Sequence, residues 1–251
     1  MAETIEEFFD DEDIRNSKLA GTAVMTKAYF SGSVSAAETA TSLISFFNNN
    51  DEAKLFQYIA WIVLPMAEQL PETHETLIQL LTKLKCLLES EDNKQHRLQL
   101  NELSLKYELD ERGLRYGDPD PDKGALRNML REEWTNVNRF AALVHKAGLE
   151  DLSAFAKRTI TFAIRRGGWR VNWKGDATTS NQLQALEGHA GAAMQWLLEC
   201  AHSLYSKDRT VKESWNQWEG DLQWIVEQTD LCDKTRLLCQ EALTRMRDVR
   251  V

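Results

Sequence analysis

The chain has 251 residues, 43% of them apolar and 27% charged, and a formal net charge of −9. Those values fit a soluble globular protein able to bury a sizeable core. They exclude a spanning helix: the longest apolar run, Tyr58 to Ala67, is far short of the ~20 residues a bilayer requires.

The charge is unevenly placed. The first thirteen residues hold seven acids (Glu3, Glu6, Glu7, Asp10, Asp11, Glu12, Asp13) and no base, so the rest of the chain carries only −2 of the total −9. We treat residues 1–15 as an acidic segment. Like charges predict a solvated, frayed terminus unless Ile5, Phe8 and Phe9 find a place to dock. Such a start is the reverse of a secretory or mitochondrial leader. The four cysteines, Cys86, Cys200, Cys232 and Cys239, show no CxxC spacing and read as reduced core thiols of a cytoplasmic protein.

Helical periods follow in order. Ser35-Ala36-Ala37-Glu38 is a capping box, with Ala40, Leu43, Ile44 and Phe47 as its buried stripe and Asn48-Asn49-Asn50-Asp51 as its stop. Leu55, Ile59, Ile62 and Met66 form the next stripe, which Pro65 and Pro71 should end. Leu77, Leu80, Leu81, Leu84, Leu87 and Leu88 form a third. Leu103, Leu105, Tyr107 and Leu109 alternate as a strand would, yet the segment reads equally as a helix. Gly117-Asp118-Pro119-Asp120-Pro121-Asp122 is rich in turn formers, and 117–123 is either a surface loop or a sub-domain break.

Beyond it, Trp134, Val137, Ala141 and Val144 line a helix stopped by Gly148. Leu152, Phe155, Thr159, Phe162 and Arg166 line another, stopped by Gly167-Gly168. Leu183, Leu186, Ala190, Ala193, Leu197, Ala201 and Leu204 line a long one. Thr210 and Glu213 read as a second capping box, opening a helix on Trp215, Trp218, Leu222 and Ile225. Leu238, Ala242 and Met246 close the chain. The pattern predicts an all-α protein. Residues 16–251 should form a single irregular multi-helix bundle.

No motif of high specificity is present. A Walker loop, GxGxxG, HExxH and GxSxG are all missing, and the five histidines are scattered, so no metal and no cofactor is expected. Asp10-Asp11-Glu12-Asp13 superficially resembles the metal motif of helical terpene cyclases, but no second metal motif follows. What remains is a cluster of cations and aromatics. From Lys157 to Lys174 there are six bases and no acid, together with Trp169 and Trp173. One basic patch on an acidic chain gives weak support for nucleic acid, and none is expected.

Arg166 sits at the end of an apolar stripe, where a guanidinium snorkels, pairs with a carboxylate, or grips a substrate anion. Asn138 reads as a bracket between helices or a substrate contact, and His189 as a packing residue or a general base. Trp169 and Trp173 follow a double glycine and are either rim aromatics or a ligand cap. The segments carrying Trp134, Phe162–Trp173 and His189–Trp196 are expected to converge. Arg166, Asn138 and His189 are the catalytic candidates; Trp134, Arg165, Trp169, Trp173 and Trp196 are the binding candidates.

Several stretches resemble an uncharacterised fungal helical family, domain of unknown function 3632. The resemblance rests on Glu133 to Leu143, Phe162-Ala163-Ile164-Arg165-Arg166, Ala193-Met194-Gln195-Trp196, Trp215-Asn216-Gln217-Trp218, Asp233 to Arg236 and Ala242 to Met246. Arg139 replaces a usually small residue. The loop before Trp215 is shortened to Ser206-Lys207-Asp208-Arg209, and Gly167-Gly168-Trp169 interrupts a helix that the family tends to continue. The resemblance implies the helical fold, a fungal origin and a place in small-molecule biosynthesis. The favoured expectation is a cofactor-independent cyclase or isomerase, such as a pericyclase of the Diels-Alderase kind. It would hold a mostly apolar substrate, with a carboxylate or carbonyl, in a reactive shape. The alternative is a non-catalytic helical protein-interaction module. Neither reading fixes the oligomeric state.

Overall fold

The computed structural model describes residues 4–50, 53–90, 105–106, 108–110, 124–164, 179–207, 209–229 and 231–250. Its secondary structure is helical throughout, with no strand among the described residues. The chain forms two compact units: Met1–Arg115 with Ala147–Glu150, and Tyr116–Lys146 with Asp151–Val251.

The helices of the first unit include α1 (Ile5–Phe9), α2 (Glu12–Arg15), α3 (Ala20–Phe30), α4 (Ala36–Asn49), α5 (Leu55–Tyr58), α6 (Leu64–Gln69) and α7 (His74–Glu89). The capping box forms as expected: the Ser35 hydroxyl accepts the Glu38 amide at 3.3 Å, and Glu38 accepts the Ser35 amide at 2.9 Å. The stripe of α4 is buried, as are Leu55, Ile59, Ile62 and Met66. A buried polar relay joins α3 to α5. The Thr26 hydroxyl donates to Thr22 O at 2.8 Å and lies 2.9 Å from the Tyr58 hydroxyl, leaving Tyr58 to complete that contact as donor. Burial pushes the Tyr58 phenol strongly upward, so it stays protonated.

Two expectations change in this unit. Pro65 does not end its helix. Between α5 and α6 the backbone widens into a π-helical turn, Ile59–Val63, and the Leu64 amide reaches back to Ile59 O. Proline has no amide to donate and its ring crowds the carbonyl four residues back, so a wider turn lets the helix pass. The acidic segment is also not a loose terminus. Phe8 and Phe9 are each only 4% exposed, and residues Thr4 to Arg15 fold onto α3. The period-two segment is helical at the described residues 105–106 and 108–110. Residues 117–123 lie outside the described ones.

The second unit holds α8 (Gly124–Lys146), α9 (Ser153–Ile164), α10 (Thr179–Lys207), α11 (Arg209–Val226) and α12 (Asp233–Asp248). The long α10 is central: α8, α9, α11 and α12 all pack on it. It kinks at Cys200, where φ is −138° and ψ is 24°. Two glycines bring α8 close. A Cβ on Gly191 would stand 2.6 Å from the Thr135 hydroxyl, and one on Gly188 would stand 2.8 Å from Arg131 Nε. After α8, Gly148 adopts φ +71°, the left-handed region that glycine enters without a Cβ penalty. Trp215 and Trp218 of α11 are buried; their indoles donate to Met246 O and to the Thr161 hydroxyl, each at 3.2 Å.

Three local readings are corrected here. Thr210 lies inside α11 and not at its cap, and Glu213 pairs with Arg209 at 3.1 Å. Cys86 and Cys232 are exposed; only Cys200 and Cys239 are core thiols. On α9 the buried face is Phe155, Ala156, Ile160, Ala163 and Ile164, continued by Leu152 just before the helix, while Phe162 is 61% exposed. Ile160 and Ile164 bury more apolar area than Thr159 and a cation would, and they rotate the helix accordingly.

Candidate functional site

The described part of the candidate site lies where α8, α9 and α10 meet. Trp134 comes from α8, Phe155 from α9 and Trp196 from α10, all three buried. Their rings form a row. Trp134 and Phe155 are 6.3 Å apart edge-on, and Phe155 and Trp196 are 5.9 Å apart at a tilt. These are ordinary separations for attractive aromatic pairs.

Asn138 sits against this row, fully buried one turn after Trp134. Its Nδ2 donates to Trp134 O at 2.8 Å, and its Oδ1 accepts the Trp196 indole N–H at 2.9 Å. The side chain thus bolts α8 to α10 and satisfies an indole that would otherwise be buried without an acceptor. This is the bracket geometry, one of the two roles its position allows.

His189 has a different setting. It is half-buried on α10, and its ring meets Phe162 of α9 edge-on at 5.0 Å. An imidazole and a largely exposed phenyl therefore stand together where α9 and α10 approach. With Phe162 and Thr159 off the buried face, the stripe that placed Arg166 at the end of an apolar face does not form in that phase. Arg166, Arg165, Trp169 and Trp173 themselves lie outside the described residues.

His145 joins this cluster and was not among the sequence candidates. It is buried on α8, its ring 6.3 Å from that of Trp196. Its Nδ1 accepts the Leu152 amide at 3.2 Å, and Asp151 Oδ1 lies 3.6 Å from the same nitrogen. It thereby serves the start of α9, where a helix amide needs a partner. The signal was in the spacing: Asn138, Ala141 and His145 follow one helical face. Arg139, which departs from the resemblance, pairs with Glu199 of α10 at 3.3 Å, and Lys146 meets the other oxygen of the same carboxylate at 3.3 Å. That departure makes an interhelical tie.

Among the described residues, no three His, Cys, Asp or Glu side chains stand close enough to hold a metal ion, and no helix is long and apolar enough to cross a membrane. Burial pushes the Cys200 thiol up to about 12, with the nearby Glu199 charge adding to the effect. Its Sγ donates to Trp196 O at 3.1 Å, which suits a packed thiol and not a nucleophile.

Comparison with known proteins returns no curated protein and no solved structure that matches. The family profile described as a protein of unknown function, DUF3632, matches residues 61–244, which is most of the chain. The chain belongs to the DUF3632 family.

Proposed function

We propose that this chain is a non-catalytic helical protein-interaction module. The observation that supports this reading most is Trp61, 55% exposed at the centre of the π-helical turn, with Phe56 exposed on the adjoining α5. Tryptophan at a surface is the residue type that most often anchors protein interfaces. π-Helical turns are rare and frequently lie at functional positions. Asn138, by contrast, is engaged at both ends inside the packed core, so using it on a substrate would unbolt α8 from α10.

The reading is tested by placing a photo-crosslinking amino acid at Trp61 in the native host. The expected product is one defined polypeptide adduct that does not form from an exposed control position such as Ala37 of α4. The reading falls if native mass spectrometry instead finds a bound small molecule that Arg166→Ala releases.

A cofactor-independent cyclase or isomerase in small-molecule biosynthesis is the second reading. It is favoured by the Phe162–His189 pair, which α9 and α10 present together a few residues before Arg165 and Arg166 in the chain. In that case Arg165 or Arg166 would hold a substrate carboxylate or polarise a carbonyl. Trp169 and Trp173 would shape the cavity, and His189 would orient a hydrogen bond. Arg166→Ala would then lower turnover more than it lowers the melting temperature.

A further inference from the structure

His145 is held in a way that only one of its charge states allows. The ring is 4% exposed in the last turn of α8, and its Nδ1 accepts the Leu152 amide at 3.2 Å. A ring nitrogen that accepts a hydrogen bond carries no proton, so this contact belongs to the neutral imidazole with its hydrogen on Nε2. Leu152 begins α9: it is buried, and its carbonyl accepts the Ala156 amide at 2.9 Å. A proton added at Nδ1 would set two donors face to face and take the acceptor away from a buried amide.

The charged ring has another partner within reach. Asp151 Oδ1 lies 3.6 Å from the same Nδ1, on a side chain that is 80% exposed. That oxygen accepts the Ser153 amide at 3.0 Å, at the first position of α9. The carbonyl end of α8 also favours a cation in its last turn. Two acceptors therefore hold the first turn of α9, His145 for Leu152 and Asp151 for Ser153. Protonation calls on both: the ring stops accepting, and its new N–H draws the carboxylate from Ser153.

Other charges on the surrounding elements are engaged elsewhere. Glu199 of α10 takes Arg139 and Lys146 of α8. Burial keeps the Cys200 thiol of α10 protonated, and Arg158 of α9 lies over the Phe155 ring at 5.4 Å. In the α8–α9 link, Glu150 takes the Leu105 amide, and Lys85 donates to Gly148 O and Leu149 O. Burial resists a charge on the ring, and a pair with the exposed Asp151 offsets little of that, so proton uptake goes with movement of the ring toward solvent.

We infer that His145 is a proton-operated latch on the start of α9. Neutral, it holds the Leu152 amide. Protonated, it pairs with Asp151, and the first turn of α9 opens. Only the neutral ring accepts the amide, so the latch holds at high pH and releases as pH falls. The consequence falls on the aromatic row, because Phe155 sits in that first turn between Trp134 and Trp196. The latch rests on neither functional reading.

The test follows the full chain by NMR from pH about 8 to about 5, the range in which imidazole ordinarily takes up a proton. The His145 ring reports protonation. Hydrogen exchange at the Leu152 amide, corrected for the intrinsic pH dependence of exchange, reports opening. Protection of Leu152 should fall roughly tenfold or more, with the same midpoint as the ring, while the amides of α10 stay protected. His145→Asn keeps an acceptor near the Nδ1 position that takes up no proton, and should leave Leu152 protected throughout. Asp151→Asn should move the midpoint to lower pH, because the charged ring loses its partner.

The proposal is overturned if Leu152 stays protected while the ring titrates, or if the ring stays neutral until the chain unfolds. It is equally overturned if His145→Asn loses protection as the unaltered chain does, which makes another group the trigger. Loss that spreads to α10 at the same pH is unfolding and also sinks it. Where His145→Asn does not fold, the two midpoints of the unaltered chain decide: coincidence supports the latch and separation refutes it.

Discussion

Asn138 ties α8 to α10 through both ends of its side-chain amide. Asn138→Ala leaves the Trp196 indole N–H buried without its acceptor, a loss of about 1–3 kcal/mol that urea denaturation should read as a lower midpoint at unchanged slope. Replacing Trp196 by Phe in that background should recover part of the loss, because the orphaned donor is then gone. The cysteines give a second residue-level expectation. Cys86 and Cys232 should react with a thiol reagent in the native protein, while Cys200 and Cys239, both pushed up to about 12 chiefly by burial, should react only on unfolding. At the α4 cap, hydrogen bonds from Ser35 hold the Glu38 carboxyl below its ordinary pKa of 4.5. The sign follows. The cap's contribution is complete above 4.5 and is lost as pH falls through the lower folded value. An NMR titration should place the Glu38 midpoint below 4.5, and Ser35→Ala should raise it only part of the way back, because the backbone amide of residue 35 still donates to the carboxylate.

At the scale of elements, the α8–α10 joint is set by what is missing from Gly191. Its added Cβ would meet the Thr135 hydroxyl at 2.6 Å, so Gly191→Ala should cost about 1–3 kcal/mol of stability. Thr135→Ala should relieve the clash, and a double-mutant cycle should show coupling of about 0.5–3 kcal/mol. Most helices were legible in the sequence because their apolar residues recur on one face, as in α4, α7 and α11, where that face is buried. The failures share a physical form. Pro65 was read by the rule that proline breaks helices, and nothing local announces that a widened turn will accommodate it. On α9 two overlapping stripes competed, and only the facing helices decide which is buried. Trp215 and Trp218 read correctly as core. The role of Asn138 was open because its partner, Trp196, lies 58 residues away, and spacing along one helix carries no information about the other.

The whole molecule distributes its chromophores unequally. Trp61 belongs to the first unit and is exposed, whereas Trp134, Trp196, Trp215 and Trp218 of the second are buried. Unfolding followed by tryptophan emission in Trp61→Phe therefore reports the second unit. Far-ultraviolet circular dichroism reports the helices of both. Each unit has its own buried core, so the two denaturation curves should not superimpose. Coincident curves would show one cooperative transition and refute this.

Ala147–Glu150 gives the chain a property that matters to anyone, or any evolutionary process, trying to cut it into cassettes. These four residues belong to the first unit, although the chain on both sides of them belongs to the second. They are used there: Lys85 donates to Gly148 O at 2.9 Å and Leu149 O at 3.0 Å, and the Leu105 amide donates to Glu150 at 2.7 Å. A gene fragment ending at Arg115 would leave those donors stranded. One beginning at Tyr116 would carry along acceptors with nothing to receive. The two units are thus sewn together by the thread of the chain itself, and a crossover, a duplication or a transplant that respects one must carry the other.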